Sequence, residues 1–219
     1  MIFKLRPVFL YVLLVGVIFT ACDNKGGKRL PRHTGESGEV FVIMPEEEWN
    51  GTVGDSLRHF FQKAYPMVPQ AEPMFKLFHI RPAKLNNLLK QHRNIVQVDI
   101  GNDSIRENKV LIQRDKWASD QLYFRILATD SAAFYPLLRN NISKITALIN
   151  NTEISRIQSF NRTFPNRSAI AAIEDKFGIS MALQEEYKTI IDTTDFMWFQ
   201  RERIKYLSNT AHDITQGII

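Results

Sequence analysis

The chain has 219 residues, of which 44% are hydrophobic and 15 are phenylalanine, enough apolar material for one core or two small packed ones. The formal net charge of +5 is small and no block of five like charges occurs, so no nucleic-acid partner is expected. The single cysteine excludes a disulfide framework and a cysteine metal site.

Residues 1–21 have the organisation of a bacterial lipoprotein signal peptide. A short positive start precedes an apolar run from Val8 to Phe19, and the small residue Ala21 stands before Cys22. The run is short for a transmembrane helix, which needs about 20 apolar residues. We therefore predict that the leader is removed and that acyl chains, palmitate among them, on Cys22 anchor the protein to a membrane. The alternative is an uncleaved anchor with a free Cys22 thiol.

Residues 22–39 contain five glycines or prolines and no apolar period, which predicts a flexible tether. Its basic side chains suit contact with anionic lipid head groups, although a merely solvated linker explains them equally well. Residues 40–219 are predicted to form a single domain. The apolar ending Ile218-Ile219 resembles an interrupted strand and suggests a truncated C-terminus.

Apolar patterns locate the first elements. The continuous run Val40–Met44, closed by Pro45, predicts a strand buried on both faces. A helix is predicted next from one apolar stripe, formed by Leu57, Phe60, Phe61, Ala64 and Tyr65. Met74–Ile80 then predicts a strand, and Pro82 opens a second short helix.

Two further strands are predicted at Asn94–Ile100 and Gln121–Ala128. Between them lies a turn signal that begins at Gly101. We expect Val110–Ile112 to pair back after that turn as a hairpin.

The longest helix is predicted to follow the cap Asp130-Ser131 and to bend at Asn150-Asn151. Another runs from Asn166 to Phe177 and ends at Gly178. The last predicted strands are Ile179–Leu183 and Phe196–Phe199. Because strands and helices alternate irregularly, the sequence predicts an α+β fold, a mixed, mainly antiparallel sheet with helices packed on it.

Several short motifs resemble those of one protein family. They are the lipoprotein signal, Trp49 with Gly54-Asp55, Pro69–Phe75, Arg93–Ile95, Trp117-Ala118 before Gln121, and Asp195–Phe199 before Arg201-Glu202. Over about the whole mature chain, they are similar to an uncharacterised lipoprotein family of Bacteroidetes (domain of unknown function, family 4837). The resemblance implies a cell-envelope location and no known activity, so no catalytic residue carries over. A lone Asp23 after the cysteine departs from the surface-export signal of such bacteria and favours the periplasm.

The resemblance also implies O-glycosylation, which such bacteria direct to Asp-Ser/Thr-apolar triplets. Ser56, Ser104 and Ser131 stand in such triplets, and Thr193 does so more loosely. The alternative is that these pairs serve only as helix caps and turns, where Asp and Ser are common.

No zinc-protease, P-loop, nucleophile-elbow or dinucleotide motif is present, and the histidines lack metal spacing, so no cofactor or metal is expected. Glu72, in a proline-rich segment, and Asp195 are the acids best placed for a carboxylate pair, although exposed turn acids explain them too. Trp49, Trp117 and Trp198 are candidates to line a glycan or peptide cleft, or simply to pack in the core.

Two functions therefore stay open. The first is a membrane-anchored, non-catalytic envelope protein that binds a protein or glycan partner, and an exposed apolar patch of several hundred Å² would favour it. The second is an envelope hydrolase with two carboxylates about 5–10 Å apart beneath an aromatic ring. The sequence favours the first, since the anchor is visible and a catalytic constellation is not.

Overall fold

The structure is a computed structural model that describes residues 29–65, 70–207 and 210–218. The predicted signal peptide and the predicted lipidation site, Cys22, lie outside the described residues.

A mixed sheet forms the first half of the molecule. Its strands are β1 (Glu39–Ile43), β2 (Lys76–Ile80), β3 (Asn94–Ile100), β4 (Lys109–Arg114) and β5 (Leu122–Ala128). They lie in the order β2-β1-β3-β5-β4. Strands β2, β1, β3 and β5 are parallel to one another, and β4 is antiparallel to its neighbour β5.

Helices cover one face of this sheet. They are α1 (Glu46–Asn50), α2 (Thr52–Phe61) and α3 (Ser131–Asn161). Short 3₁₀ turns occur at Pro82–Lys84 and Leu89–Gln91. The side chain of Asp130 accepts a hydrogen bond from the backbone of Ala133, so the predicted cap of the longest helix is confirmed. None of the helices in the described ranges has both the length and the hydropathy that crossing a bilayer demands.

The main core lies between the sheet and α2 and α3. Alternate residues of β1, β3 and β5 point into it, among them Val42, Val96 and Phe124, all fully buried. They meet the apolar stripe of α3, formed by Phe134, Leu138, Ile142, Ile145 and Ile149. This three- and four-residue spacing places one helix face against the sheet, as expected from the sequence.

A second, smaller unit follows α3. It consists of α4 (Arg167–Phe177) and the antiparallel strands β6 (Lys188–Asp192), β7 (Met197–Leu207) and β8 (Thr210–Ile218). The order is β6-β7-β8. Its own core contains Ala169, Ile173, Leu183, Tyr187, Met197 and Phe199. Gly178 ends α4 with φ of 65°, the left-handed conformation that a glycine C-terminal stop provides.

The α+β class is confirmed, because helices pack on a mixed sheet and a separate antiparallel sheet follows. The larger sheet is mainly parallel, however, and the expected hairpin is wrong. Val110–Ile112 belongs to β4, which pairs with β5 and not with β3. Chain order did not reveal this, because β5 inserts between the two strands that the turn connects.

Three element boundaries also differ from the sequence expectation. Helix α2 ends at Phe61, and Ala64 instead pairs with Pro73 in an isolated bridge. Helix α3 continues through Asn150-Asn151 without interruption. Ile179–Leu183 is not a strand; the chain there is irregular and buries Leu183 in the second core.

Candidate functional site

The segment before β1 is part of the fold and not only a tether. Backbone hydrogen bonds fix it, from Ser119 to Pro31 (2.8 Å), from Thr34 to Gln91 (2.9 Å) and from Arg93 to Thr34 (3.0 Å). The predicted tether of residues 22–39 is therefore too long at its C-terminal end. Its backbone forms hydrogen bonds with the segments that lead into β3 and β5. Composition alone does not show these long-range bonds.

Beneath this segment lies a buried ionic cluster centred on Glu153 of α3. Its carboxylate is 2.7 Å from Arg93 Nη2 and 2.7 Å from Arg156 Nη1. Asn94 donates a hydrogen bond to the same carboxylate at 2.8 Å, and Ser37 donates one at 3.0 Å. One carboxylate thus faces two guanidinium groups, so the cluster carries a surplus of positive charge.

Arg156 ties the cluster together. It donates hydrogen bonds to the Asn94 side chain, to the carbonyl of Arg93 and to the carbonyl of Asp120. Burial lowers the pKa of Arg156, and the nearby Glu153 carboxylate opposes that shift. The Nε atoms of Arg93 and Arg156 and Nδ1 of His33 are buried without a hydrogen-bond partner. The two unpaired Nε–H donors of the arginines raise the cost of the positive surplus, which an incoming anion would reduce.

His33 stands next to these arginines. Burial lowers the pKa of His33 below its ordinary 6.5, and the positive charges of Arg156, Arg93 and Arg32 lower it further. The neutral imidazole is therefore the main form at pH 7, because burial and three neighbouring guanidinium groups all disfavour a further positive charge.

An open cleft of about 500 Å³ lies above the cluster, and we call it the arginine cleft. One wall is the N-terminal segment with Arg32 and His33, and another is the last half of α3 with Arg156. Arg114 at the end of β4 completes the rim. A second hollow of about 320 Å³ shares Arg156 with the cleft and adds Arg93.

Two guanidinium groups at this cleft are free to bind a ligand. The side chains of Arg32 and Arg114 are exposed and have no hydrogen-bond or ion-pair partner within the described ranges. Thr152 and Ser159, which carry hydroxyl groups, line the same space. Guanidinium forks with neighbouring hydroxyls suit phosphate, sulfate or carboxylate oxygens, which accept several charge-assisted hydrogen bonds at once.

Apolar side chains border the cleft on its outer side. Ile157, Phe160 and Phe164 are 48%, 45% and 59% exposed, and we call them the apolar rim. Helix α3 has 31 residues and is about 46 Å long, whereas a seven-residue strand spans about 23 Å. The end of the helical stripe therefore extends past the sheet, and Ile157 and Phe160 are exposed.

The residues proposed for O-glycosylation are scattered. Ser104 lies on an exposed turn, and Thr193 lies on the exposed turn between β6 and β7. Ser56 is half-buried within α2, and Ser131 is the half-buried first residue of α3. Modification at any of these positions stays a prediction.

The two acids chosen from the sequence do not meet. Glu72 is exposed on the segment before β2, where its carbonyl accepts a hydrogen bond from Tyr65. Asp195 is exposed in the second unit, beside an apolar pocket of about 240 Å³ that Phe196 also lines. Glu72 lies in the first unit and Asp195 between β6 and β7 of the second, and no contact or shared pocket joins them within the described ranges.

The three tryptophans also lie apart from one another and from the arginine cleft. Trp49 stacks on His79 with ring centroids 5.0 Å apart, and Arg58 lies over it. Trp117 packs edge-on against Tyr123, and Trp198 is half-buried in β7. No group of three or more potential metal-binding side chains occurs in the part of the chain that the structure describes.

Sequence reasoning did not identify the arginine cleft, although one signal was present. Glu153 and Arg156 follow Ile149 by four and seven residues, at positions of α3 where the stripe calls for apolar side chains. A charged pair three residues apart on a core-facing stripe indicates a buried ion pair. Arg32 and Arg114 carried no such signal, since each is a single exposed arginine.

Comparison with protein families gives a match over the larger part of the chain. A family profile described as Domain of unknown function (DUF8532) matches residues 33–162, which is more than half of the chain. The chain belongs to this family. The DUF8532 match begins at His33 and ends just after α3, so it covers the larger sheet and most of the arginine cleft.

No curated protein and no solved structure matches the chain. Membership of DUF8532 confirms the general part of the resemblance, that the chain belongs to a family of unknown function. The family number differs from the one that the sequence motifs resemble. The second unit, α4 to β8, lies outside the DUF8532 match.

Proposed function

We propose that this DUF8532 protein is a membrane-anchored lipoprotein of the cell envelope that binds an anionic partner and does not catalyse a reaction. The supporting observation is the arginine cleft, in which Arg32 and Arg114 place two free guanidinium groups around one space. The partner carries phosphate, sulfate or carboxylate groups, and envelope glycans and proteins are among the molecules that supply them.

The size and charge of the cleft support this role. A volume of about 500 Å³ lies within the range of about 300–1,000 Å³ that is usual for ligand sites. The ionic cluster below adds the surplus charge of Arg93 and Arg156, and charges near a protein surface act across several ångströms. An anion in the cleft is therefore attracted by both the free and the buried guanidinium groups.

The envelope location is proposed from the sequence. The leader and Cys22 have the organisation of a bacterial lipoprotein signal. The short motifs resemble a family of Bacteroidetes, in which Asp23 alone after the cysteine favours the periplasmic side. Cys22→Ala is expected to leave the protein unprocessed or soluble, because no thiol is left to acylate. Membrane fractionation and mass spectrometry of the native protein test this. A variant that migrates and fractionates like the wild type would rule out the anchor.

Binding is tested by calorimetric titration of the full chain with dextran sulfate, and with neutral dextran as the reference ligand. Changing Arg32 and Arg114 to Gln is expected to weaken binding to dextran sulfate by about tenfold or more, since two charge-assisted contacts are lost. The binding of the wild type should weaken with added salt, because exposed charges are screened.

Arg139→Gln is the matched control. Like Arg32 and Arg114, Arg139 is exposed and its side chain has no partner within the described ranges. It lies on α3 and does not line the cleft. An equal loss of affinity in Arg139→Gln would mean that dextran sulfate responds only to overall charge. That result would overturn the role of the arginine cleft.

A further inference from the structure

We propose that the anionic groups received by the arginine cleft are the head groups of the membrane to which the chain is anchored. This rests on the proposed function, since it needs both a cleft that binds anions and an acylated Cys22. The inference follows from three features that lie together: the free arginines, the apolar rim and the short chain that leads to Cys22.

The apolar rim distinguishes a lipid surface from a soluble anion. Phe160 and Phe164 line the arginine cleft itself, and Ile157 lines the adjoining hollow next to Arg156. Exposed aromatic and aliphatic side chains beside arginines are the composition of protein surfaces that lie at the boundary between head groups and acyl chains. A soluble phosphate or sulfate would leave these three side chains in water.

The length of the chain places this surface close to the bilayer. Arg32 follows Cys22 by ten residues, which span at most about 35 Å when fully extended. Backbone hydrogen bonds hold the segment from Pro31 onward on the domain. Acylation at Cys22 therefore makes contact between the cleft and lipid head groups effectively intramolecular, with a high local concentration of head groups.

Charge complementarity selects anionic lipids among those available. Each arginine close to an anionic surface contributes about fivefold to binding, and Arg32 and Arg114 are both free to do so. The neutral state of His33 at pH 7 adds no charge, so the arginines carry the attraction. Uncharged lipids offer the rim an apolar layer but give the guanidinium groups no net negative charge.

The test uses the full acylated chain, reconstituted in vesicles of phosphatidylcholine or of phosphatidylcholine and phosphatidylglycerol in equal parts. Cys22 is the only natural cysteine, so Gln158→Cys supplies one thiol for a polarity-sensitive dye on the exposed residue that follows Ile157. Asn140→Cys is the matched control, because 18 residues are five full turns and place it on the same face of α3, about 27 Å away.

The dye at residue 158 is expected to shift to shorter wavelength on phosphatidylglycerol vesicles and much less on phosphatidylcholine alone, while residue 140 changes little on either. Arg32→Gln with Arg114→Gln should lower the docked-to-free ratio by about 25-fold, fivefold for each arginine. Phe160→Ser should also reduce the shift, and circular dichroism checks that this exposed substitution leaves the fold intact.

The outcomes separate the two proposals. A shift of equal size on both vesicle types, or at both dye positions, would overturn the selection of anionic lipid. If dextran sulfate binds through Arg32 and Arg114 but the vesicles produce no shift at residue 158, the lipid proposal is wrong and the proposed function stands. Loss of both responses would overturn both.

Discussion

At the residue scale, one buried carboxylate holds the arginines below the arginine cleft in place. Glu153 is 5% exposed and pairs with both Arg93 and Arg156, so its charge is the closest compensation that either guanidinium has. Sequence periodicity predicted the helix around it but not this role, because the pattern counts apolar residues and passes over a charged one. Its partners Arg93 and Asn94 are about 60 residues away in sequence. A local sequence pattern cannot show that residues so far apart are in contact.

Glu153→Gln is expected to lower the free energy of unfolding by about 3–5 kcal/mol, since it leaves two largely buried guanidinium groups without their carboxylate. Urea denaturation, followed by circular dichroism, measures the change. Glu47→Gln on α1 is the control, because Glu47 is exposed and should change stability by less than about 0.5 kcal/mol. Equal effects of both substitutions would show that the cluster contributes nothing to stability.

His92 makes stability depend on pH. It is 2% exposed and stacks on Phe41 with ring centroids 3.6 Å apart. Burial lowers the pKa of His92 below 6.5, against smaller opposing effects of Asn94 and Glu39. The folded state therefore binds fewer protons than the unfolded state just below pH 6.5. Its stabilising contribution is complete above that pH and is lost as the pH falls towards the lowered value.

Urea midpoints at about pH 7.5 and about pH 5.5 are expected to differ more in the wild type than in His92→Gln, which has no imidazole to protonate. His33 shifts the wild type in the same direction, because its pKa is lowered too. Comparison of the two proteins isolates the part due to His92. An unchanged pH dependence in His92→Gln would contradict this assignment.

At the element scale, the junction of α1 and α2 depends on a missing side chain. A Cβ atom on Gly54 would lie 1.9 Å from the carbonyl oxygen of Trp49, which is far inside van der Waals contact with backbone. The two helices are separated only by Gly51, so the first turn of α2 cannot move away freely. Trp49 in turn holds His79 by ring stacking.

Gly54→Ala is therefore expected to destabilise the protein by about 1–3 kcal/mol, although alanine favours helices more than glycine does. The displaced Trp49 should also change its fluorescence, which gives a second measurement. Ser56→Ala, two residues later in the same helix, is the comparison and should change both quantities much less. A Gly54→Ala variant more stable than the wild type would show that α1 and α2 can move apart without loss of stability.

Element prediction succeeded where the pattern was local. The cap at Asp130, the stop at Gly178 and the strands around Val42 and Val96 follow from side chains that interact within a few residues. The partner of β4 did not follow, because strand neighbours are decided by long-range packing. The arginine cleft was missed for the same reason: its residues come from four separate segments of the chain.

At the scale of the whole molecule, the two units have separate cores among the described residues, where one domain over residues 40–219 was predicted. The buried residues of the first core lie between Val40 and Ile149, and those of the second between Ala169 and Phe199, without a shared member. The DUF8532 match ends between them, at residue 162. Composition showed how many apolar residues the chain has, but not how they are divided between the two units.

Ile173→Ala should therefore loosen the second unit alone. Removal of a nearly fully buried isoleucine costs about 2–5 kcal/mol, which the second core alone would lose. Hydrogen exchange measured by mass spectrometry should show faster exchange in β7 and unchanged exchange in β3 and β5. Faster exchange in all three strands would instead show that the chain from Val40 onward unfolds as one cooperative domain.

The docked N-terminal segment also determines how a mechanical load enters the molecule. A pull on an acylated Cys22 would travel along the chain to the bond between Pro31 and Ser119, and then to those that join Thr34 to Gln91 and Arg93. Tension would thus separate Arg32 and His33 from the rest of the domain before it reaches any strand of the sheet. The first part of the protein to yield under force would be the wall of the arginine cleft that Arg32 and His33 form.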